Sequence, residues 1–385
     1  MLEHYQPAWM SEEHTLLADT ARRFTTEHIT PNDERWRHQH RVDLETWKLA
    51  GSLGLLLADV PEAYGGMGGD FGHEAVIYRE LARATEFGFT GGRAVHAIVA
   101  HYILHCGTEE QKHTWLPRMA VGEAIGAIAM TEPGAGSDLK GVRTKAERRG
   151  DKFVINGSKT YISNALNMGI LIVVAKTNQE AGSKGMSLIL MDPRATPGFS
   201  VGRVLDKVGM PSQDTCELFF ENCEVPVENV LGGVEGQGMY QLMGQLPYER
   251  AVLGLIASGY SEQALALTVA YTKDREAFGK PLFELQNSRF KLADIATTVT
   301  VGRVFNDFII AQLIAGTLDS ATASMNKVWS SEALGDVVDQ CVQLFGGAGY
   351  MNEYPIARLY ADARVMRIFG GANEVLRELI ARELR

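Results

Sequence analysis

Apolar positions change period twice along the chain. From residue 1 to about 122 they recur at helical spacing. In "SEEHTLLADTARRFTTEHI", Ser11 stands as an N-cap, acids fill the first turn, and Leu16, Leu17 and Phe24 follow. "HEAVIYRELARATEF" and "VHAIVAHYILHCG" repeat the pattern, and "GTEEQKHTWLPRM" reads as a capped helix closed by Pro117. Between them "PEAYGGMGGD", Pro61 to Asp70, is too rich in glycine for a regular element and reads as a loop.

From about 123 to 233 the period shortens to two. "KFVINGSKTYISNA" alternates and carries Asn156-Gly157, a hairpin signal. "ILIVVAKT", "MSLILMD" and "CELFFENCEVP" are short apolar runs between turns. They predict a middle β domain, a small barrel or sandwich. From about 234 to 385 long amphipathic stretches return and predict a helical bundle. The whole is an α+β multidomain chain. At the bundle's start "QLPYERAVLGLIASG" raises a question. Glu249 and Arg250 read as an ion pair heading a helix that is otherwise apolar or small. Acids suit a first turn because the helix dipole is positive there. A base held where a cleft meets the core is the alternative.

Composition narrows the class. The chain has 385 residues, 45% apolar and 22% charged, and a net charge of −10, which argues against a nucleic-acid surface. Cys106, Cys216, Cys223 and Cys341 form no C-x-x-C pair and read as free thiols in a reducing compartment. No run of about 18 apolar residues predicts a membrane span, and the first residues lack the pattern of a leader, so a cytoplasmic protein is expected. His96, His101 and His105 share a helix face without a Cys or carboxylate beside them, and are expected at the surface or an interface. No metal site is expected.

Three glycine-rich loops are candidates for ligand contact. "AMTEPGAGSDLKG", Ala129 to Gly141, offers Gly134 and Gly136 for close backbone approach and Thr131 and Ser137 as donors. A plain turn explains it equally well. "QLFGGAGY" and "RIFGGANE" are, singly, most simply helix stops. Arg275 alone reads as a solvated charge.

In combination these segments say more. "MTEPGAGSD", "INGSKTYIS", "REAFGKPLFELQ", "QLFGGAGY" and "GGANEVLRELIAREL", in that order on an α–β–α chain, resemble the acyl-CoA dehydrogenase family from end to end. The resemblance implies an N-terminal helical domain, a middle β domain and a C-terminal four-helix bundle. FAD and acyl-CoA would lie between them. The implied reaction is α,β-dehydrogenation of an acyl thioester to the trans-2-enoyl thioester. A carboxylate takes the α-proton, and the β-hydrogen leaves as hydride to flavin N5. Electrons then pass to an electron-transferring flavoprotein, as in fatty acid β-oxidation.

By the same resemblance Ile128, Met130, Thr131, Gly136 and Ser137 line the flavin, with Tyr161, Ile162 and Ser163 on its other side. Arg275, Phe278, Gln286, Gln343, Gly346 and Gly347 reach flavin from a neighbouring subunit, which implies a homo-oligomer, usually a tetramer. Ala372, Asn373 and Glu374 meet it near the last helix, and Ala372 stands where a hydroxyl residue often binds FAD. Ser137, Lys184 and Tyr240 fall where the family contacts CoA; Tyr248, Arg250, Gly370 and Gly371 are assigned to substrate.

Most members carry the base at the position occupied here by Gly370, which has no proton acceptor. The long-chain and isovaleryl branches place it at the start of the bundle, where Glu249 stands, and the surrounding text resembles the long-chain branch. Glu249 is therefore the expected base, and Gly370 is expected to vacate the volume Glu249 enters. The neighbouring readings are a dehydrogenase of carrier-protein thioesters, an acyl-CoA oxidase, a nitroalkane oxidase and a non-catalytic acyl-CoA-binding relic. Glu249 argues against the last.

Overall fold

The computed structural model describes residues 5–384; Met1 to His4 and Arg385, within the spans 1–122 and 234–385 expected to be helical, lie outside the described residues. The first segment holds α1 (Glu12–Phe24), α2 (Asp33–Gln39), α3 (Leu44–Ser52), α4 (Phe71–Leu81), α5 (Phe87–Cys106) and α6 (Glu109–Ala120). Ser11 caps α1 as expected, but histidine takes the place Glu usually fills three residues on. His14 Nδ1 accepts the Ser11 amide at 3.1 Å, and His73 Nδ1 accepts that of Asp70, the cap of α4, at 3.0 Å. His14 Nε2 lies 3.2 Å from Asp70, which joins the two caps. Pro117 does not close α6. The helix runs on to Ala120 and stops at Gly122, whose φ is +74°.

The second segment is one seven-stranded sheet, in the order β1 (Ile125–Ala129), β4 (Met168–Lys176), β2 (Lys145–Arg149), β3 (Lys152–Ser163), β7 (Thr215–Pro226) and β6 (Phe199–Val204), with β5 (Met186–Met191) beside β4. The unbroken apolar run of β4 follows from burial on both faces. Ile170, Ile172 and Val174 join the core shared with the helices; Leu171, Val173 and Ala175 join the core of the sheet's other face. Asn156-Gly157 is not a hairpin turn. It lies inside β3, at a register shift, where a Cβ on Gly157 would sit 2.6 Å from Thr144 Oγ1. The β2–β3 turn is at Gly150-Asp151.

The third segment packs α7 (Gly238–Asp274), α8 (Gln286–Ile314) and α9 (Ser320–Phe345), with α10 (Pro355–Ala363) and α11 (Asn373–Arg382) against α9. A small hairpin, β8 (Glu276–Ala277) and β9 (Lys280–Pro281), joins α7 to α8. Glu249 does not head its helix: α7 begins eleven residues earlier and continues through Pro247. By length and composition α7 could cross a membrane, but two thirds of its most apolar window is buried inside the fold. From Tyr248 to Ser261 every residue is buried, as expected of a helix apolar on all sides in the centre of a protein.

The histidines also differ from expectation. His96 and His101 are buried; only His105 is exposed. His96 Nδ1 accepts the Gly126 amide at 3.0 Å, which docks α5 on β1, and burial pushes its pKa down to about 3. His101 pairs with Asp59 at 3.0 Å and stacks on Tyr248 at 3.7 Å. Its carboxylate partner stands 42 residues away in the chain, beyond any local spacing rule. All four cysteines are free.

Candidate active site

Three layers meet around Glu249. It projects from α7 toward α5 and is 6% exposed. Tyr102, fully buried on α5, donates its phenol proton to Glu249 Oε1 at 2.6 Å. Arg250 is not the partner. Its Nη1 donates to Ser320 Oγ at 2.8 Å and Ser324 Oγ at 2.9 Å, at the start of α9, and its Nε has no acceptor. Burial raises the Glu249 pKa to about 7 against the lowering pull of Tyr102 and then Arg250. A carboxyl so placed is ready to take a proton near neutral pH.

The loop at Gly370 and Gly371 packs on α7 at Leu253. Gly370 has φ +60°, and a Cβ there would fall 2.1 Å from Leu253 Cδ1. The volume it vacates is thus filled by Leu253, one helical turn beyond Glu249, and not by Glu249 itself. Lys327, fully buried on α9, fixes this loop by donating to Gly371 O and Asn373 Oδ1, both at 2.8 Å. Asn373 also donates to Ser331 and Glu332, so its side chain is turned inward and fully engaged. Ala372 is half-buried and Glu374 exposed beside it.

The structure brings the middle-segment flavin candidates together. The Thr160 amide donates to Thr131 O at 2.9 Å, linking the end of β1, with Ile128 and Met130, to Tyr161 and Ser163 on β3. Beneath the loop lies an ion pair that sequence reading missed: Lys159 Nζ is 2.8 Å from Glu132 Oε1, both buried, and also donates to Met130 O at 3.1 Å. Glu132 accepts the Arg143 and Thr144 amides in turn. The outer edge of the loop is free. A Cβ on Gly134 or Gly136 would meet nothing within 4 Å, and among the described residues the Thr131 hydroxyl makes no hydrogen bond. Tyr161, with φ +60°, is turned out of the strand and is 68% exposed, while Ile162 points into the sheet core.

Ser137, Lys184 and Tyr240 lie along one edge. The turn just after Ser137 packs on the Gly182–Gly185 turn, and the carbonyl of Lys184 abuts Gly236 before α7, whose first turn carries exposed Tyr240. The remaining candidates gather at the far end of α7. Tyr271 stacks on Phe345 at 3.9 Å, tying the Arg275–Gln286 hairpin region to Gln343, Gly346 and Gly347. Phe278 at the hairpin tip is 93% exposed, and a Cβ on Gly346 or Gly347 would meet nothing within 4 Å. Neither set reaches Glu249. A cavity of about 560 Å³ between α7 and α8, around Leu265, Val269 and Leu292, is also elsewhere. It begins thirteen residues beyond Glu249, about 20 Å along the helix.

A helical–sheet–helical chain with a buried carboxyl of raised pKa and glycine-edged loops agrees with the acyl-CoA dehydrogenase resemblance. Residues 11–123, 127–223 and 236–385 match the N-terminal, middle and C-terminal domains of acyl-CoA dehydrogenase. The long-chain specific acyl-CoA dehydrogenase of Sus scrofa mitochondria is 45% identical over 97% of this chain and 87% of its own. The isovaleryl-CoA dehydrogenase of Solanum tuberosum is 36% identical over 99% and 94%. The crystal structure of acyl-CoA dehydrogenase from Geobacillus kaustophilus superposes with a TM-score of 0.95 at 41% identity, covering 98% of this chain and 100% of that one. The chain belongs to the acyl-CoA dehydrogenase family, whose members are FAD-dependent oxidoreductases.

Proposed function

We propose that this protein oxidises an acyl-CoA thioester to its trans-2-enoyl product with Glu249 as the α-proton base. The observation that carries the reading is the buried Glu249 carboxyl, raised to about 7, one helical turn before the Leu253 that packs on Gly370. The α-proton of a thioester is far too weakly acidic for a solvated carboxylate, so a desolvated base is what the step requires. Glu249 breaks the α C–H bond and keeps the proton, while the electron pair moves toward the thioester carbonyl. Backbone amides of the Gly370–Glu374 loop, held by Lys327, would oppose the growing oxyanion charge. Bound flavin supplies the two-electron acceptor for the β-hydrogen.

The residues present fit such a cofactor. Thr131 offers an unused hydroxyl, the Gly134 and Gly136 edge leaves room for a flat ring, and the Lys159–Glu132 pair holds that loop rigid. Met130, Ser137, Tyr161 and Ser163 would complete the contacts. Arg275, Phe278, Gln286, Gln343, Gly346 and Gly347 face outward at the far end of α7 and would serve a second copy's flavin, which makes the active form an oligomer. An electron-transferring flavoprotein would reoxidise it. The 45% identity to a long-chain relative favours a long acyl chain.

Anaerobic titration with straight, branched and long acyl-CoAs, read at the flavin's visible absorbance, tests this. Bleaching is expected, strongest with long chains. Glu249→Gln should retain yellow FAD and lose at least about a thousandfold in reduction rate. Reduction by the variant at the wild-type rate would exclude Glu249 as the base.

A further inference from the structure

We infer that Tyr102 is a positioning residue for this reaction: its phenol, reaching across from α5, holds the Glu249 carboxylate in its proton-accepting pose. The inference rests on the reading of Glu249 as the base. Its support is geometric. The two groups are buried, belong to segments 147 residues apart, and meet at 2.6 Å. Tyr102 supplies the one side-chain hydrogen bond that Glu249 makes among the described residues. A buried carboxylate with a single donor has its orientation set by that donor.

The phenol also serves both states of the base. Leu242 O, on α7 itself, lies 3.5 Å from the Tyr102 oxygen. Before proton transfer the phenol donates to the carboxylate. Afterwards the protonated carboxyl can donate to the phenol oxygen, while the phenol proton turns to Leu242 O. The base is held before and after the step without a solvent molecule. Other titratable groups around the pair are few. Cys106 follows one turn on in α5, Arg250 stands next in α7 with its hydrogen bonds on α9, and Lys327 of α9 lies beyond Arg250.

The test is the pH profile of flavin reduction in the holoenzyme. Tyr102→Phe removes one oxygen and leaves the ring. Without its donor the carboxylate holds its proton more tightly, so the acidic limb of kcat/KM moves up by about one pH unit. That is about a tenfold loss at pH 6, with little change at pH 9. Placing 3-fluorotyrosine at 102 keeps the shape and strengthens the donor, and moves the limb the other way. The opposed shifts are a signature that a packing role would not produce, and the downward shift of the fluorinated protein tests the inference even if the phenylalanine variant folds poorly. A limb unmoved by the fluorinated residue overturns the inference. Glu249→Gln run alongside separates the two claims. If it still reduces flavin, the base assignment fails; if it does not, and the Tyr102 limb stays fixed, only this inference fails.

Discussion

The raised pKa of Glu249 is also a statement about stability. Its ordinary value is 4.5 and its folded value about 7, so over that interval the folded protein keeps a proton that the unfolded chain releases. Stability from this group is therefore fully present below pH 4.5 and lost as pH rises through 7. The interval of about 2.5 units corresponds to up to about 3 kcal/mol. Glu249→Gln, which cannot ionise, removes that loss. The variant should melt close to the wild type at pH 5 and several degrees above it at pH 8, by thermal unfolding of the FAD-loaded protein. A difference in Tm that is the same at both pH values would show that the carboxyl is not desolvated. As the proposed base, Glu249 would be kept at a cost to stability, as functional groups commonly are.

At the scale of elements, the site depends on how α7 and the loop before α11 share one volume. A Cβ on Gly370 would overlap Leu253 Cδ1, and its φ of +60° already disfavours a side chain. Gly370→Ala should cost about 2–4 kcal/mol, and Leu253→Ala, which opens a hole, a similar amount. The double variant should lose clearly less than the sum, because the new methyl enters the space Leu253 leaves. Strict additivity in thermal unfolding would show that loop and helix do not compete for it. Sequence periodicity revealed the helix, and the family resemblance the odd Gly370, yet neither revealed this contact. By that resemblance, the acid in "LPYER" and the missing acid in "IFGG" pointed to Glu249. What occupied the vacated space could not be read, because Leu253 is an ordinary core residue in an apolar run. Tyr102 was hidden for a related reason. It sits in "VHAIVAHYILHCG", where a tyrosine among apolar residues signals only that its hydroxyl needs a partner, not which one. The start of α7 was misplaced because Glu249 and Arg250 were read as heading the helix, whereas its half-exposed first ten residues, through Pro247, precede the fully buried stretch. Lys159 and Glu132, separated by 27 residues and a strand, carried no local signal at all.

At the scale of the whole molecule, one face of the bundle is left apolar. Phe290, Val301, Val304 and Phe308 stand exposed on α8 at spacings of eleven, three and four residues, along one side of the helix. Beside them the α7–α8 groove is lined by Leu265, Val269, Phe283 and Leu292, with Arg289, Arg303 and Glu262 at its rim. An apolar strip of this length on a protein of net charge −10 suits a surface made to be covered. A second copy of the same bundle presents a matching strip with both signs of charge at its rim, as a closed symmetric contact requires. With each chain at 42.2 kDa, light scattering should give about four times that mass for the wild type. The pair Val304→Asp and Phe308→Asp places unpaired charges in the contact and should lower the mass to that of a smaller assembly, while the monomer's helical circular dichroism is unchanged. Loss of bound FAD from that smaller form would show that the outward-facing Arg275 and Gly346 regions need the same assembly to reach a neighbour's flavin. A wild-type mass near 42.2 kDa with FAD fully bound would mean that each chain completes its own site, and those exposed loops would need another explanation.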